Sequence, residues 1–212
     1  MVILSNEISF PKVESAEASG LLAIGGDLSM ERLKLAYKSG VFPWYSEGEP
    51  ILWYSPDPRM VLFPEELKIA KSMRQIIRSN RFRVTFNHDF EEVIRNCKNI
   101  DRINQGQDGT WITNEMLDSY VKLHKEGTAK SVEVWEGDEL VGGLYGVEVG
   151  TVFCGESMFS KVSNASKVAL VSLVQNNEKT YNLIDCQVYN QHLESLGARE
   201  ISREDFLYYL QF

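Results

Sequence analysis

Apolar and polar positions alternate with two different periods along this chain, and the change of period predicts its elements. Asp27-Leu28-Ser29-Met30-Glu31 reads as a helix start, with Ser29 or Asp27 as cap, Glu31 in the first turn and Gly40 as a stop, so a short helix is expected from about Ser29 to Ser39. Residues 113–126 give a second amphipathic helix, with Met116, Leu117, Tyr120, Val121 and His124 on one side and Gly127 at its end. Strand character then takes over in three runs, 131–135, 140–147 and 151–157, joined by connections short enough for hairpins, which predicts an antiparallel meander. A helix over about 164–175, a strand ending at Asp185, and helices over 191–196 and 203–210 complete the prediction. Helices mixed with mainly antiparallel strands make the fold α+β, with a boundary near Leu62 between a small N-terminal domain (1–62) and a larger one (63–212).

Between the first helix and that boundary, residues 41–59 hold four of the six prolines together with Phe42, Trp44, Tyr45, Trp53 and Tyr54. Proline removes amide donors and fixes φ, so a rigid, irregular aromatic wall is expected. Two readings stand for its rings, a binding surface or the filling of a small core.

Composition is that of a globular protein, 43% apolar and 25% charged over 212 residues, without a low-complexity tract or internal repeat. The first residues lack the basic flank and apolar core of a secretory signal, and no run of eighteen apolar residues occurs, so a cytoplasmic protein with no membrane partner is expected. Cys97, Cys154 and Cys186 form no C-x-x-C pair and read as buried thiols. His88, His124 and His192 are far apart, which leaves no metal constellation.

A net charge of -8 disfavours a nucleic-acid partner on its face. Its distribution changes that picture. Lys68, Lys71, Arg74, Arg78, Arg81 and Arg83 put six of the 22 basic residues and none of the 30 acidic ones into residues 68–83. At helical spacing Lys68, Lys71, Arg74 and Arg78 share a face opposite Ile69, Met73, Ile76 and Ile77. A solvated helix face and a docking face for phosphates both fit.

Two apolar strands end in acids and amides: Gly155-Glu156-Ser157-Met158-Phe159-Ser160, and Ile184-Asp185-Cys186-Gln187. A buried carboxylate must be hydrogen-bonded or lose its charge. Glu156, Asp185 and Gln187, with Ser157 and Asn190, suit either a polar network stapling the sheet or a site that positions an amine against an already activated acyl group. Gly142-Gly143-Leu144-Tyr145-Gly146 lies mid-strand, where it lets another backbone or a ligand come close. No Walker loop, nucleophile elbow or dinucleotide fingerprint is present.

Eight motifs in order carry a resemblance: Gly20-Leu21-Leu22-Ala23-Ile24-Gly25-Gly26-Asp27-Leu28, Phe42-Pro43-Trp44-Tyr45, Ile51-Leu52-Trp53-Tyr54-Ser55-Pro56-Asp57-Pro58-Arg59, Thr110-Trp111-Ile112, the glycine-rich strand, the two acid-amide segments, and Asn164-Ala165-Ser166-Lys167 between them. The chain resembles the bacterial leucyl/phenylalanyl-tRNA-protein transferases. That resemblance implies a GNAT-like acyltransferase domain behind the small N-terminal one, and transfer of Leu or Phe from aminoacyl-tRNA to proteins with N-terminal Arg or Lys, marking them for degradation by the N-end rule. It implies no metal and no organic cofactor, and a monomer is expected.

By the same resemblance the catalytic positions are Asp185, Gln187 and Glu156, with the Gln187 side-chain oxygen accepting from the attacking amine and Asp185 polarising that amide. Trp44 and Trp111, with Tyr120 and Asn190, match positions around the terminal adenosine; Leu144, Phe153, Met158, Leu170 and Ile184 would line the pocket for the transferred side chain; the six basic residues would dock the acceptor stem. The chain departs from the family in Ala129-Lys130-Ser131, in Trp53-Tyr54, in Leu144, and in the length of residues 99–108. Two alternatives are an acyl-CoA-dependent GNAT enzyme, whose Q/R-x-x-G-x-G/A loop is absent here, and a tRNA-binding module without chemistry.

Overall fold

The computed structural model describes residues 2–99, 111–176 and 179–211, so the unusual length expected over residues 99–108 and the Thr110 of its motif fall outside the described residues, Asn99 excepted. The chain opens with a four-stranded sheet of β1 (Val2–Leu4), β2 (Leu21–Gly25), β3 (Phe42–Pro43) and β4 (Leu52–Tyr54), ordered β1-β2-β4-β3. Its helix α1 (Met30–Lys38) starts and stops on the expected residues: the Ser29 hydroxyl accepts the Arg32 amide at 3.4 Å, and Gly40 takes φ +72° just beyond the end. The aromatic wall is more regular than expected, because β3 and β4 pair within it. The core-filling reading holds for Trp53 and not for Trp44. Trp53 is fully buried with Nε1 donating to the Gly25 carbonyl at 2.8 Å, whereas Trp44 is 36% exposed.

The larger part contains β5 (Arg59–Leu62), α2 (Lys71–Arg78), β6 (Arg83–Phe86), α3 (Phe90–Asn99), α4 (Asn114–Lys125), β7 (Ala129–Glu136), β8 (Glu139–Val149), β9 (Val152–Ser160), α5 (Ala165–Val174), β10 (Leu183–Gln187), α6 (Gln191–Ser195), β11 (Arg199–Ile201) and α7 (Arg203–Tyr209). Seven strands form one sheet in the order β11-β5-β10-β9-β8-β7-β6. The meander of β7, β8 and β9 is antiparallel as predicted, and β6 extends it. From β9 the chain crosses over through α5 to β10, which runs parallel to β9. β5 lies antiparallel between β10 and β11, so Arg59–Leu62 is built into this sheet.

The basic island is not one helix. α2 ends at Arg78, Asn80 turns the chain at φ +54°, and Arg83 opens β6. Ile77, expected on the packed face, is 37% exposed; α2 packs through Met73, with Ile69 and Ile76 against the same cluster.

Each face of the seven-stranded sheet buries its own apolar cluster. On one face Val61, Tyr145, Cys154 and Phe159 meet Phe90 of α3, Met116 and Tyr120 of α4, and Tyr37, Phe42 and Trp53 of the N-terminal sheet region. On the other, Met60, Leu62, Leu144, Phe153 and Ile184 meet Val168 and Leu170 of α5, a helix that buries six of its ten residues and keeps Ser166, Lys167 and Ser172 half-exposed. Glycine is what lets α5 seat there. A Cβ at Gly142 would stand 2.5 Å from the Ala165 Cβ, and one at Gly146 would collide with the Cys154 carbonyl and the Phe153 ring. The mid-strand glycines therefore admit neighbouring parts of this chain.

Candidate active site

Two β-bulges aim the polar residues. In the β8–β9 ladder Gly146 faces Gly155 and Tyr145 faces Ser157, leaving Glu156 as the extra residue. The bulge keeps Glu156 on the face of Tyr37 and Tyr120 and returns Met158 to the opposite face, beside its ladder partner Leu144. Glu156 therefore lies inside a strand that continues to Ser160, where the sequence suggested a strand end. In the β5–β10 ladder Asp185 faces Val61 and Gln187 faces Met60, so Cys186 is the extra residue. Gln187 takes φ +66°, a conformation costing about 1–3 kcal/mol outside glycine. It is held there by its own amide, which donates to Asp185 Oδ1 at 2.9 Å, and by the Val188 amide, which donates to the Cys186 carbonyl at 2.8 Å.

The bulges bring Glu156 and Gln187 together. Gln187 Nε2 donates to Glu156 Oε1 at 2.7 Å, the Tyr120 hydroxyl donates to Glu156 Oε2 at 3.1 Å, and the Tyr37 hydroxyl is hydrogen-bonded to that of Tyr120. Because Nε2 is turned to the carboxylate, Gln187 Oε1 is the free end of the amide, and it accepts no hydrogen bond from the described residues.

Asp185 sits on the same face, wholly buried, in a two-pronged pair with Arg59: Nε to Oδ1 at 2.8 Å and Nη2 to Oδ2 at 2.7 Å. The guanidinium lies between the rings of Phe42 and Phe206, 4.8 and 4.5 Å from their centroids, and donates through Nη1 to the Gly40 carbonyl at 3.2 Å. The sequence reading had Asp185 polarising the Gln187 amide. That contact is not made: Arg59 and the Gln187 backbone occupy the Asp185 oxygens, and Glu156 holds the side-chain amide.

Burial pushes the Glu156 carboxyl up to about 7, against the opposing pull of the hydrogen bonds from Tyr37, Tyr120 and Gln187. Burial first, and then the nearby Glu156 charge, raise both tyrosine hydroxyls well above their ordinary range, so they stay protonated donors. A carboxyl whose folded value lies above its unfolded one binds extra protons in the native state between pH 4.5 and 7, so stability falls as pH rises through that window. The fall is expected to reach roughly 3 kcal/mol. Glu156→Gln should flatten it, which urea midpoints at pH 5 and pH 8 would reveal.

The other anticipated residues are distributed as follows. Trp44 leans on Tyr54 at 5.9 Å between centroids, and half-buried Trp111 packs on the core nearby; the Tyr45 hydroxyl and Thr113 Oγ1, 3.3 Å apart, tie the two segments together. Asn190 caps α6, its Oδ1 accepting the Leu193 amide at 3.1 Å. Leu144, Phe153, Leu170 and Ile184 are buried in one cluster with half-buried Met158 packed on it, a closed group in this structure. Lys71, Arg74 and Arg78 line one groove, and none of them forms an ion pair among the described residues, while Lys68 lies just before α2. Arg81 and Arg83 are engaged elsewhere: Arg81 pairs with Glu136 at 2.7 Å, and Arg83 covers the Trp135 ring at 5.0 Å.

Two residues of the site were missed in the sequence. Arg59 stood at the end of the Ile51–Arg59 motif with no role attached to it, and Tyr37 lay inside the first expected helix without being singled out. Among the described residues no group of three or more His, Cys, Asp and Glu could hold a metal, and no helix is long and apolar enough to cross a membrane.

An α+β sheet that holds an amide pinned by a buried acid, with a buried Arg–Asp pair beside it, offers what an acyltransferase needs to align an incoming amine with an activated acyl group, and comparison with known proteins places the chain in that class. Models of the leucyl/phenylalanyl-tRNA protein transferase family match residues 61–211, and of its N-terminal domain residues 26–57. A leucyl/phenylalanyl-tRNA–protein transferase of Flavobacterium johnsoniae is 62% identical over 98% of this chain and 97% of its own length; that of Flavobacterium psychrophilum is 59% identical over the whole of both. A solved GCN5-related N-acetyltransferase of Kribbella flavida is similar over 80% of this chain and 60% of that one, at a TM-score of 0.36 and 7% identity. The chain belongs to the leucyl/phenylalanyl-tRNA protein transferase family.

Proposed function

We propose that this enzyme moves Leu or Phe from its tRNA to the α-amine of a protein beginning with Arg or Lys, and that Gln187 is the residue that receives the amine. The free Oε1 of an amide pinned at its other end is the observation that carries this reading. An α-amine titrates near ~8, so an appreciable minority is neutral at physiological pH. It donates one N–H to Gln187 Oε1, which turns its lone pair to the ester carbonyl. The new C–N bond forms as the C–O bond to the ribose breaks, and the amine's surplus proton leaves with the ribose oxygen. Most of the acceleration is alignment, for which several kcal/mol are available.

In this reading Glu156 holds and polarises the amide, Tyr120 and Tyr37 orient Glu156, and the Arg59–Asp185 pair fixes the Gln187 backbone. Trp44 and Trp111 stack on the terminal adenine, an interaction of about 1–3 kcal/mol per base. The cluster of Leu144, Phe153, Leu170 and Ile184 receives the transferred side chain once Met158, flexible and half-buried, moves aside. The groove of Lys71, Arg74 and Arg78 follows the tRNA backbone, with Lys68 beside it.

The deciding experiment is transfer of labelled Leu and Phe from tRNA to peptides starting with Arg, Lys or Ala. Labelling of the first two alone supports the reading; equal labelling of the Ala peptide, or none of any, refutes it. Charge reversal at Arg74 and Arg78 is expected to raise KM for aminoacyl-tRNA at least ten-fold and to lower the slope of log KM against log salt by about 1 to 2, since each lost phosphate contact removes somewhat less than one released counterion. An unaltered slope would remove the groove from the tRNA path.

A further inference from the structure

The last helix of the chain meets the site from behind. Phe206 of α7 is buried, and its ring centroid lies 4.5 Å from the Arg59 guanidinium carbon, which the Phe42 ring covers at 4.8 Å. The same helix holds the backbone on either side of that cation. Arg203 donates through Nη1 to the Ser55 carbonyl at 2.7 Å, and its amide donates to Asp57 Oδ1 at 3.1 Å, which fastens the segment leading into Arg59. At Gly40, whose carbonyl accepts from Arg59 Nη1, a Cβ would stand 2.7 Å from Leu207 Cδ2 and 3.3 Å from the Phe206 ring. One helix therefore packs on the guanidinium, on the residue whose carbonyl accepts from it, and on the chain before it.

The guanidinium is in turn joined to the backbone of the reactive amide through a single atom. Asp185 Oδ1 accepts from Arg59 Nε at 2.8 Å and from the Gln187 amide at 2.9 Å. A carboxylate that turns to follow a displaced guanidinium carries that oxygen away from Gln187. Gln187 is sensitive to the loss, because φ +66° is unfavourable for it and persists only where its surroundings impose it. A shift of about 1 Å at a reacting group can cost roughly 100-fold in rate.

Stability alone does not account for the arrangement. A buried ion pair is often no more stable than packed apolar side chains, so a pair enclosed by two rings and backed by a helix points to orientation. Aromatic faces, unlike aliphatic bulk, attract a guanidinium through the ring quadrupole and stack on its plane.

We propose that Phe206 is a positioning residue for transfer, acting through Arg59 and Asp185 to hold Gln187 in place, so that α7 forms the back of the catalytic site. This rests on the reading that Gln187 receives the acceptor amine.

The test is a double-mutant cycle of Phe206→Leu with Gln187→Gly, read as kcat and KM for transfer. Phe206→Leu keeps apolar bulk without a ring face and should lower kcat about ten-fold, with KM for aminoacyl-tRNA and for the peptide unmoved. In the Gln187→Gly background it should cause no further loss, since the side chain it positions is gone. Ile94→Val, in the same core cluster on α3, supplies a comparably destabilised enzyme and should keep the wild-type kcat. Where Phe206→Leu does not fold, Phe206→Met, longer and more adaptable, takes its place in the cycle. An unchanged kcat, a ten-fold loss repeated in the Gln187→Gly background, or an equal loss in Ile94→Val overturns the role of Phe206 and leaves Gln187 as the amine acceptor. A Gln187→Gly enzyme as fast as wild type overturns that reading and this proposal with it.

Discussion

Arg59→Met should lower stability by about 3–5 kcal/mol, the usual consequence of stranding one partner of a buried ion pair. Asp185 is wholly buried and pairs with no other cation among the described residues, and its hydrogen bond to the Gln187 backbone does not offset a bare charge. For a chain of this length the melting temperature should drop by roughly ten degrees, at 2–4 °C per kcal/mol. Arg59→Met/Asp185→Leu replaces both charges by apolar bulk and should recover most of that loss, because a whole buried pair is often no more stable than a packed apolar one. Transfer should not recover with it. Without Asp185 nothing accepts the Gln187 amide, and a left-handed glutamine with one tether fewer drifts from Glu156. Urea denaturation and a transfer assay on the same samples separate the two quantities. A double variant as active as wild type would reduce the pair to a structural role.

The Arg59–Asp185 pair also illustrates what the sequence could and could not disclose. Asp185 was legible as a buried acid because it interrupts an apolar run, and a buried acid needs a partner. The identity of the partner was not, since Arg59 lies 126 positions away and reaches Asp185 only because β5 inserts between β10 and β11. Periodicity reports which face of an element is apolar and is silent on which strands become neighbours. β6 and α3 were not read at all: the helical pattern was followed only as far as Arg78, and the residues behind it were left without an element. The bulges were invisible too. One extra residue at Glu156 and one at Cys186 leave the composition of each strand unaltered yet decide which side chains share a face. α1 and α4, by contrast, carried their boundaries in local capping residues, Ser29 with Gly40 and Thr113 with Gly127, and the meander carried its order in its short turns.

Gln187→Ala is expected to lower kcat for transfer by about 10²–10³-fold, the range found when one preorganised hydrogen-bonding group is removed from a reacting centre. KM for aminoacyl-tRNA should hardly change, because adenine, phosphates and the amino-acid side chain are bound elsewhere. Some rate should survive, as the ester is activated and part of the amine is already neutral. Alanine at φ +66° is strained, so the loss needs a control for backbone geometry. Gln187→Gly supplies it: glycine adopts that φ freely, and the variant should be as stable as wild type or more so while remaining as slow as the alanine one. Gln187→Asn tolerates the backbone but is one methylene short, so its amide cannot hold Glu156 and still present its oxygen at the same place. Its kcat should fall between wild type and alanine. If the glycine variant transferred at the wild-type rate, the amide would have no part in the reaction, and the free Oε1 would be a consequence of the bulge instead of its purpose.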